Sequence, residues 1–176
     1  MPVAPIRFEP ERALALVLYV ANRLRYPTLH SVSKVLYFAD RDHLSRYGSL
    51  LSGDTYVAMR HGPAPSAIHN LMKAAAGRQE TMIPPVFYRL FRESLGVENE
   101  HRVTPLRHAD ESQLSAAQRE CLDNSIRQNG RLSFVRLTAK SYDAAWKSAD
   151  ANDIMDVKAI ARTLPNARDV LAALSE

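Results

Sequence analysis

The chain has 176 residues, of which 46% are hydrophobic and 24% are charged, and its formal net charge is +4. This length and composition are typical of a soluble globular protein with one hydrophobic core, so we expect residues 1–176 to form a single domain. The one cysteine, Cys121, excludes an intramolecular disulfide and a metal cage built from the cysteines of one chain.

The sequence carries no signal for export, membrane insertion or nucleic-acid binding. No apolar run approaches the length that spans a bilayer, and the N-terminal residues lack the charged start, apolar stretch and cleavage site of an export signal. The excess of positive charge is spread over the first 110 residues without a basic run, whereas nucleic-acid-binding proteins concentrate it in a patch. We therefore expect a cytoplasmic protein that has neither a membrane nor a nucleic acid as its partner.

The chain is predicted to begin with two helices. Pro10, which lies between two glutamates, suits the first turn of a helix, and residues 13–24 are apolar on nearly all sides. Thr28 is well suited to the N-cap position of a helix, and the apolar residues that follow it recur at three- and four-residue spacing. This pattern predicts a second helix as far as Tyr47, with Gly48 as the residue that closes it.

A short strand and a rigid turn are predicted to follow the second helix. Residues 55–60 are rich in β-branched and aromatic side chains, which favours a strand. Residues 61–65, His-Gly-Pro-Ala-Pro, include two prolines without an amide donor, so we expect a turn that continues neither strand nor helix. Residues 97–107 alternate weakly and contain Pro105, which predicts a short edge strand or an extended arm that can pair with residues 55–60 in a small sheet.

The remaining segments are predicted to be helical. A capping box that begins at Ser115 predicts a helix as far as Asn129, closed by Gly130. Further helices are predicted at residues 66–76, 86–95, 134–140, 154–164 (started by Asp153) and 167–174. The expected fold class is mainly α (α+β): a single helical domain with a small antiparallel β-sheet or hairpin.

The strongest candidate for a chemical site consists of Asp40, His43, Asp54 and His61. Asp40 and His43 lie three residues apart, so both can project from one face of the helix. Two imidazoles and two carboxylates are suitable ligands for zinc, but their spacing matches no compact metal motif. A buried hydrogen-bond network, in which Asp40 orients His43 and ties the helix to the next turn, fits the pattern better. The alternative is a small metal-dependent or hydrolytic enzyme that uses the same four residues.

The segment 61–65 has two interpretations of equal weight. It can be a rigid connector between a strand and a helix, or a stiff, partly apolar loop that docks a protein beside Tyr56 and Met59. Tyr37 suits the edge of a core as well as an interface. Trp146 is more typical of a core anchor than of a binding residue.

Several short motifs share their order and spacing with one known family. They are Leu-Tyr-Phe-Ala-Asp at residues 36–40, Gly53-Asp54, Tyr56, Ala58-Met59 and His61-Gly62-Pro63. With these motifs the chain resembles the Panacea domain, the family of SocA-like antitoxins and phage-associated GepA-like proteins. A weaker match is Leu132-Ser133 followed by Ala145-Trp146. The Ser/Thr-His pair that the family usually has before that tryptophan is absent, and Thr138 lies near its place.

The resemblance implies a bacterial antitoxin that neutralises a cognate toxin protein by direct binding, and some family members deliver the toxin to a protease. Because the sequence offers no catalytic constellation, we expect no enzymatic activity, no cofactor and no bound metal. The residues expected to bind the partner or to form the buried polar network are Tyr37, Asp40, His43, Asp54, Tyr56, Met59, His61, Pro63 and Trp146.

Overall fold

The computed structural model describes residues 6–78 and 84–175, and most of its elements are helices. In chain order they are α1 (Pro10–Arg23), α2 (Leu29–Tyr47), β1 (Tyr56–Met59), β2 (Gly62–Pro65), α3 (Ser66–Ala75), α4 (Pro85–Ser94), β3 (Leu95–Glu98), β4 (Arg102–Pro105), a 3-10 turn (Glu111–Gln113), α5 (Ala116–Asn129), α6 (Phe134–Ser141), α7 (Ala144–Ser148), α8 (Val157–Arg162) and α9 (Ala167–Ala173). The strands form two antiparallel hairpins, β1–β2 and β3–β4. The expected fold class, mainly α with small antiparallel sheets, is confirmed. None of the described helices is both long and apolar enough to cross a membrane.

The ends of α2 are those that the sequence predicts. The Thr28 hydroxyl accepts a hydrogen bond from the Ser31 amide at 3.0 Å, and the Ser31 hydroxyl accepts one from the Thr28 amide at 2.8 Å. This reciprocal capping box satisfies two donors at the start of the helix. Gly48 closes the helix in the left-handed conformation, with a φ of 74° that glycine adopts without strain.

Two clusters of buried hydrophobic side chains form the interior, and α2 contributes to both. The first cluster surrounds α1, which is buried on nearly all sides as its sequence predicts. The second contains Tyr37 and Phe38 of α2, Tyr56 of β1, and apolar residues of α6, α7, α8 and α9. A disturbance of α2 is therefore expected to affect the packing of both clusters.

The prediction of a turn at residues 61–65 is wrong, because residues 62–65 form strand β2. Tyr56 pairs with Pro65 and Met59 with Gly62, so only residues 60 and 61 form the turn. The prolines alternate with Gly62, Ala64 and Ser66, and the Ser66 amide donates to the Thr55 carbonyl at 2.8 Å. By this alternation the proline nitrogens point away from β1, so β2 needs no donor from them.

The other edge of β1 is covered by residues 152–155, where the sequence predicts the start of a helix. The Ala58 amide donates to the Asp153 carbonyl at 2.9 Å, and the Met155 amide donates to the Tyr56 carbonyl at 2.8 Å. Asn152 has a φ of 63°, which is incompatible with a helix. The prediction that Asp153 starts a helix is therefore wrong; α8 begins at Val157, behind an N-cap supplied by Asp156.

The predicted pairing of residues 97–107 with residues 55–60 is also wrong. The strand β4 pairs with β3 in a local hairpin, and it bridges to Thr28 in front of α2. Asn99 and Glu100 have φ values of 50° and 64°, which turn the chain back on itself within a few residues. Both edges of β1 are occupied by β2 and residues 152–155, so no edge remains for β4.

Candidate functional site

Asp40 is the centre of a buried hydrogen-bond network between α2, the turn after it and β1. Its side chain is completely buried. The Ser52 amide donates to Oδ1 at 2.9 Å, while the Ser52 hydroxyl and the Tyr56 hydroxyl donate to Oδ2 at 2.6 and 2.7 Å. Burial raises the pKa of Asp40 to about 6, and the three hydrogen bonds act in the opposite direction. The carboxyl ties the helix to the turn, as the sequence suggests.

Asp54 serves as a remote cap for α3. Its Oδ2 accepts from the Ile68 amide at 2.9 Å, and its Oδ1 accepts from the Ala67 amide at 3.1 Å. The residue at the N-cap position, Pro65, has no side-chain group that can do this. Burial raises the pKa of Asp54, against the effect of these backbone donors. This carboxylate is therefore occupied by the fold.

His43 and Asp40 lie on the same helix but do not form a pair. The His43 imidazole lies with Nδ1 at 2.7 Å from the Ser49 carbonyl oxygen, so this nitrogen donates, and its ring packs against Tyr47 at a centroid distance of 4.8 Å. Burial lowers the pKa of His43, and the bond to the Ser49 carbonyl opposes the shift. The interpretation in which Asp40 orients His43 is corrected: the Ser49 carbonyl holds the imidazole.

The structure does not bring the four candidate ligands together. His61 is exposed in the turn between β1 and β2, whereas Asp40 is completely buried in the helix. Among the residues that the structure describes, no group of three or more His, Cys, Asp or Glu side chains is arranged to hold a metal ion. The four candidate residues therefore do not form a zinc-type site in this part of the chain.

Lys34, which the sequence analysis does not single out, lies beneath the β1–β2 hairpin. It is only 3% exposed, and its Nζ donates to the Pro63 carbonyl oxygen at 2.7 Å. Burial lowers the pKa of this ammonium group to about 7. A lysine among the buried apolar positions of α2 is the sequence signal that could have revealed it, since lysine is rarely buried without a partner.

Trp146 and Tyr142 hold the tip of the same hairpin from the side. The indole Nε1 of Trp146 donates to the Met59 carbonyl at 2.9 Å, and the Tyr142 hydroxyl donates to the Arg60 carbonyl at 2.6 Å. The two rings stack with their centroids 4.1 Å apart. Trp146 is only half-buried, so it anchors the hairpin at the surface of the fold.

The other candidate residues for partner binding differ widely in exposure. Tyr37 is completely buried, and its hydroxyl donates to Asp143 at 2.6 Å. Tyr56 and Pro63 are buried as well, whereas Met59 is half-buried and His61 is exposed. Of these five residues, therefore, only Met59 and His61 present side chains that a partner could reach.

The family model described as "Antitoxin SocA-like, Panacea domain" matches residues 32–147, well over half of the chain. The chain belongs to this family. No curated protein and no solved structure matches it. The matched residues of the Panacea domain include nearly all of α2, the β1–β2 hairpin, α6 and Trp146, so the hydrogen-bond network and the hairpin both lie inside the family region.

The structure of the Panacea domain adds a surface that the sequence analysis misses. Phe134 and Val135, the first residues of α6, are exposed, although the helix buries Leu137, Thr138 and Ser141. The Phe134 ring lies 5.3 Å from the His61 ring. Two adjacent apolar residues directly after the Ser133 cap, outside the buried stripe of the helix, are the signal that could have indicated it.

Gly62 tests how tightly the hairpin fits against α6. Its φ is 104°, and a Cβ at this position would lie 2.2 Å from the Ser141 hydroxyl and 2.9 Å from the Lys34 side chain. We expect Gly62→Ala to lower the free energy of unfolding by about 2 to 3 kcal/mol, because strain and overlap add. The measurement is urea denaturation followed by circular dichroism.

Gly77→Ala is the matched control, because Gly77 has a φ of 84° and none of the described residues lies within 4 Å of the added Cβ. It is expected to cost about 1 kcal/mol, which is the strain alone. The double change Gly62→Ala with Ser141→Ala should recover part of the loss. Equal losses for Gly62→Ala and Gly77→Ala would show that the contact with α6 is loose.

Proposed function

We propose that this protein is the antitoxin of a bacterial toxin–antitoxin pair and that it neutralises its toxin by direct protein contact, without catalysis. The observation that carries the proposal is membership of the Antitoxin SocA-like, Panacea domain family over residues 32–147. The proposed setting is the bacterial cytoplasm, with a protein as partner and no nucleic acid, cofactor or membrane involved.

The state of the candidate catalytic groups supports a role without catalysis. Asp40 accepts three hydrogen bonds from its own fold, Asp54 caps α3, and His43 is held by a backbone carbonyl. The two carboxylates thus bind donors of their own fold, and the buried imidazole of His43 is not paired with either of them as an acid–base couple. The thiol of Cys121 is buried, and burial raises its pKa to about 12, far from the value of a reactive cysteine.

The alternative, a metal-dependent or hydrolytic enzyme that uses Asp40, His43, Asp54 and His61, is favoured by no observation of the site. The enzyme hypothesis makes a prediction that distinguishes it from the antitoxin function. Elemental analysis of the purified protein would find a stoichiometric metal ion, and His43→Ala would lose it. That result would overturn the proposal of a purely protein-binding antitoxin.

Co-expression with the protein encoded by the adjacent open reading frame tests the proposal. We expect the neighbouring protein to stop the growth of a bacterial host when it is produced alone. Growth should return when this protein is produced with it, and the two should purify together. A harmless neighbour that does not co-purify with this protein would contradict the antitoxin function.

The mechanism of neutralisation can be read from the lifetime of the toxin. Simple sequestration leaves the amount of toxin unchanged after protein synthesis is stopped, because the complex protects a folded partner. Delivery to a protease shortens that lifetime only when this protein is present. We propose contact as the basis of neutralisation in both cases, and the decay measurement decides whether a protease completes it.

A further inference from the structure

The surface at the start of α6 combines the features of a protein-binding patch. Phe134 is 52% exposed and Val135 is 73% exposed, although both are large apolar side chains. Next to Phe134 lies His61, in the turn of the β1–β2 hairpin. We call the set Phe134, Val135 and His61 the α6 patch. Exposed apolar side chains grouped in this way, at a fixed site, are typical of interaction surfaces.

The α6 patch is held rigidly by the fold. The Phe134 ring packs against His30 and His61, with centroid distances of 4.1 and 5.3 Å. His30 is fixed in turn by Thr138, whose hydroxyl lies 2.8 Å from Nε2. Burial lowers the pKa of His30 to about 4, so the imidazole beneath the Phe134 ring is neutral at pH 7. A pre-formed aromatic anchor loses little conformational entropy when it binds.

Positively charged residues flank the members of the α6 patch in the sequence. Residues 124–142 contain Arg127, Arg131, Arg136 and Lys140 and no Asp or Glu. Arg131 and Arg136 on this segment, and Arg60 next to His61, are exposed, and none of the three has an ion-pair partner among the residues that the structure describes. An apolar centre with unpaired cations around it complements an apolar pocket with an acidic rim.

We propose that the α6 patch is the toxin-binding surface, and that the toxin presents an acidic face whose apolar pocket receives Phe134 and Val135. The inference rests on the proposed antitoxin function and adds where and by what chemistry the toxin binds. Unpaired arginines also attract phosphates, but the patch includes Val135, which is more exposed than Phe134. Its aliphatic side chain has no polar or stacking group that a nucleic acid could use.

Binding of the purified chain to the purified product of the adjacent open reading frame tests the surface. We expect Phe134→Ser and Val135→Asp each to weaken the affinity about 30-fold, as is typical of central anchors. Arg136→Glu is expected to weaken it about 10-fold, chiefly through slower association, with a smaller effect at high salt. Leu106→Ser is the matched control: Leu106 is 60% exposed but lies outside the patch, and its loss should change nothing.

Circular dichroism and thermal unfolding establish that the variants are folded. Because Val135 is more exposed than Phe134, Val135→Asp is expected to disturb the fold less than Phe134→Ser. If the wild-type chain binds and neutralises the toxin while both variants bind equally well, the α6 patch is wrong and the antitoxin function stands. If the wild-type chain neither binds nor neutralises it, the proposed function fails, and the inference with it.

The same variants distinguish two alternative binding partners of the α6 patch, a nucleic acid and a second copy of the chain. Binding of a 30-base-pair DNA duplex that is lost in Arg136→Glu, with toxin binding unchanged in all variants, would assign the patch to nucleic acid. A wild-type dimer in solution that Val135→Asp dissociates, again with unchanged toxin binding, would assign it to a second copy of the chain. Either result overturns the toxin-binding surface.

Discussion

Replacing Asp40 with alanine is expected to lower the free energy of unfolding by about 4 kcal/mol, the largest loss that we predict for a single substitution in this protein. The carboxyl is completely buried, and it accepts hydrogen bonds from the Ser52 amide, the Ser52 hydroxyl and the Tyr56 hydroxyl. Alanine would leave these three donors without an acceptor in a site that water does not reach. It would also leave a cavity beside Tyr56.

Asp42→Ala is the matched control, since Asp42 lies on the same helix and also accepts hydrogen bonds. Its carboxylate is partly exposed and pairs with the exposed Arg46 at 2.8 Å, so its loss should cost less than about 1 kcal/mol. Tyr56→Phe, which removes one of the three donors, should fall between the two. Urea denaturation measures all three. A loss in Asp40→Ala no larger than that in Asp42→Ala would refute the central role of Asp40.

The pH dependence of this loss gives a second measurement of the same group. Because burial raises the pKa of Asp40 to about 6 from 3.8, the folded state holds the proton more tightly than the unfolded chain. The stability that the protonated carboxyl contributes is fully present below about pH 4, and it is lost as the pH rises through about 6. The loss in Asp40→Ala should therefore be larger at pH 4.5 than at pH 7.5.

The measured quantity must be the difference in free energy of unfolding between wild type and Asp40→Ala. Another group changes the stability in the opposite direction over the same pH range. Burial lowers the pKa of His30 to about 4, so the unfolded chain takes up this proton first as the pH falls. The contribution of His30 therefore increases with pH where that of Asp40 decreases. Subtracting the variant from the wild type cancels His30 and leaves Asp40.

Local signals predict the ends of α2 correctly, because capping is decided within a few residues. Thr28 and Ser31 satisfy each other's neighbouring donors, and Gly48 has the left-handed conformation that closes a helix. The same holds for α5, whose Ser115 and Gln118 form the predicted capping box. In each case the residues that determine the structure are adjacent in the sequence.

Strand pairing could not be predicted in the same way, because a strand's partner depends on which edges the rest of the fold leaves open. Residues 152–155 pair with β1 from nearly a hundred residues away, and they exclude the pairing predicted for residues 97–107. By composition alone, the prolines of β2 predict a turn. Their alternation with residues that can donate is compatible with an edge strand, which composition alone does not reveal.

The candidate site was predictable to the extent that it is built from neighbouring residues. That Asp40 ties α2 to the next turn follows from the sequence, whereas the partner of His43 does not, since Ser49 binds it through its backbone carbonyl, a group that every residue has. The α6 patch was missed because exposure is a property of the assembled fold. The pattern of α6 identifies its buried face, but nothing in the pattern places His61 beside Phe134.

Replacing Lys34 is expected to give the second large change in the free energy of unfolding. The replacement also tests whether Lys34, which lies beneath the β1–β2 hairpin, holds the hairpin in place. Burial lowers the pKa of this lysine to about 7 from 10.5, so between these values the unfolded chain binds a proton that the folded protein does not. Stability therefore rises with pH through this window, and below about pH 7 the folded state bears the full cost of a buried charge. Among the residues that the structure describes, only the Pro63 carbonyl, at 2.7 Å, accepts a hydrogen bond from this group and compensates part of the cost.

We expect Lys34→Met to remove this dependence, because methionine fills a similar volume without a charge. The gain in free energy of unfolding over the wild type should be larger at pH 6 than at pH 9.5 by about 3 to 4 kcal/mol. Urea denaturation at both pH values measures it.

Lys34→Met also separates stability from binding. Lys34 donates a hydrogen bond to the carbonyl of Pro63, which lies two residues from His61. Its ammonium group therefore fixes the position of the hairpin turn relative to α6. If the turn needs that hydrogen bond, Lys34→Met will be more stable at pH 6 and yet bind the toxin more weakly, because His61 is no longer held against Phe134. A variant that gains stability and keeps full affinity would show that packing against α6 alone positions the turn, and that Lys34 contributes a buried charge without a role in binding.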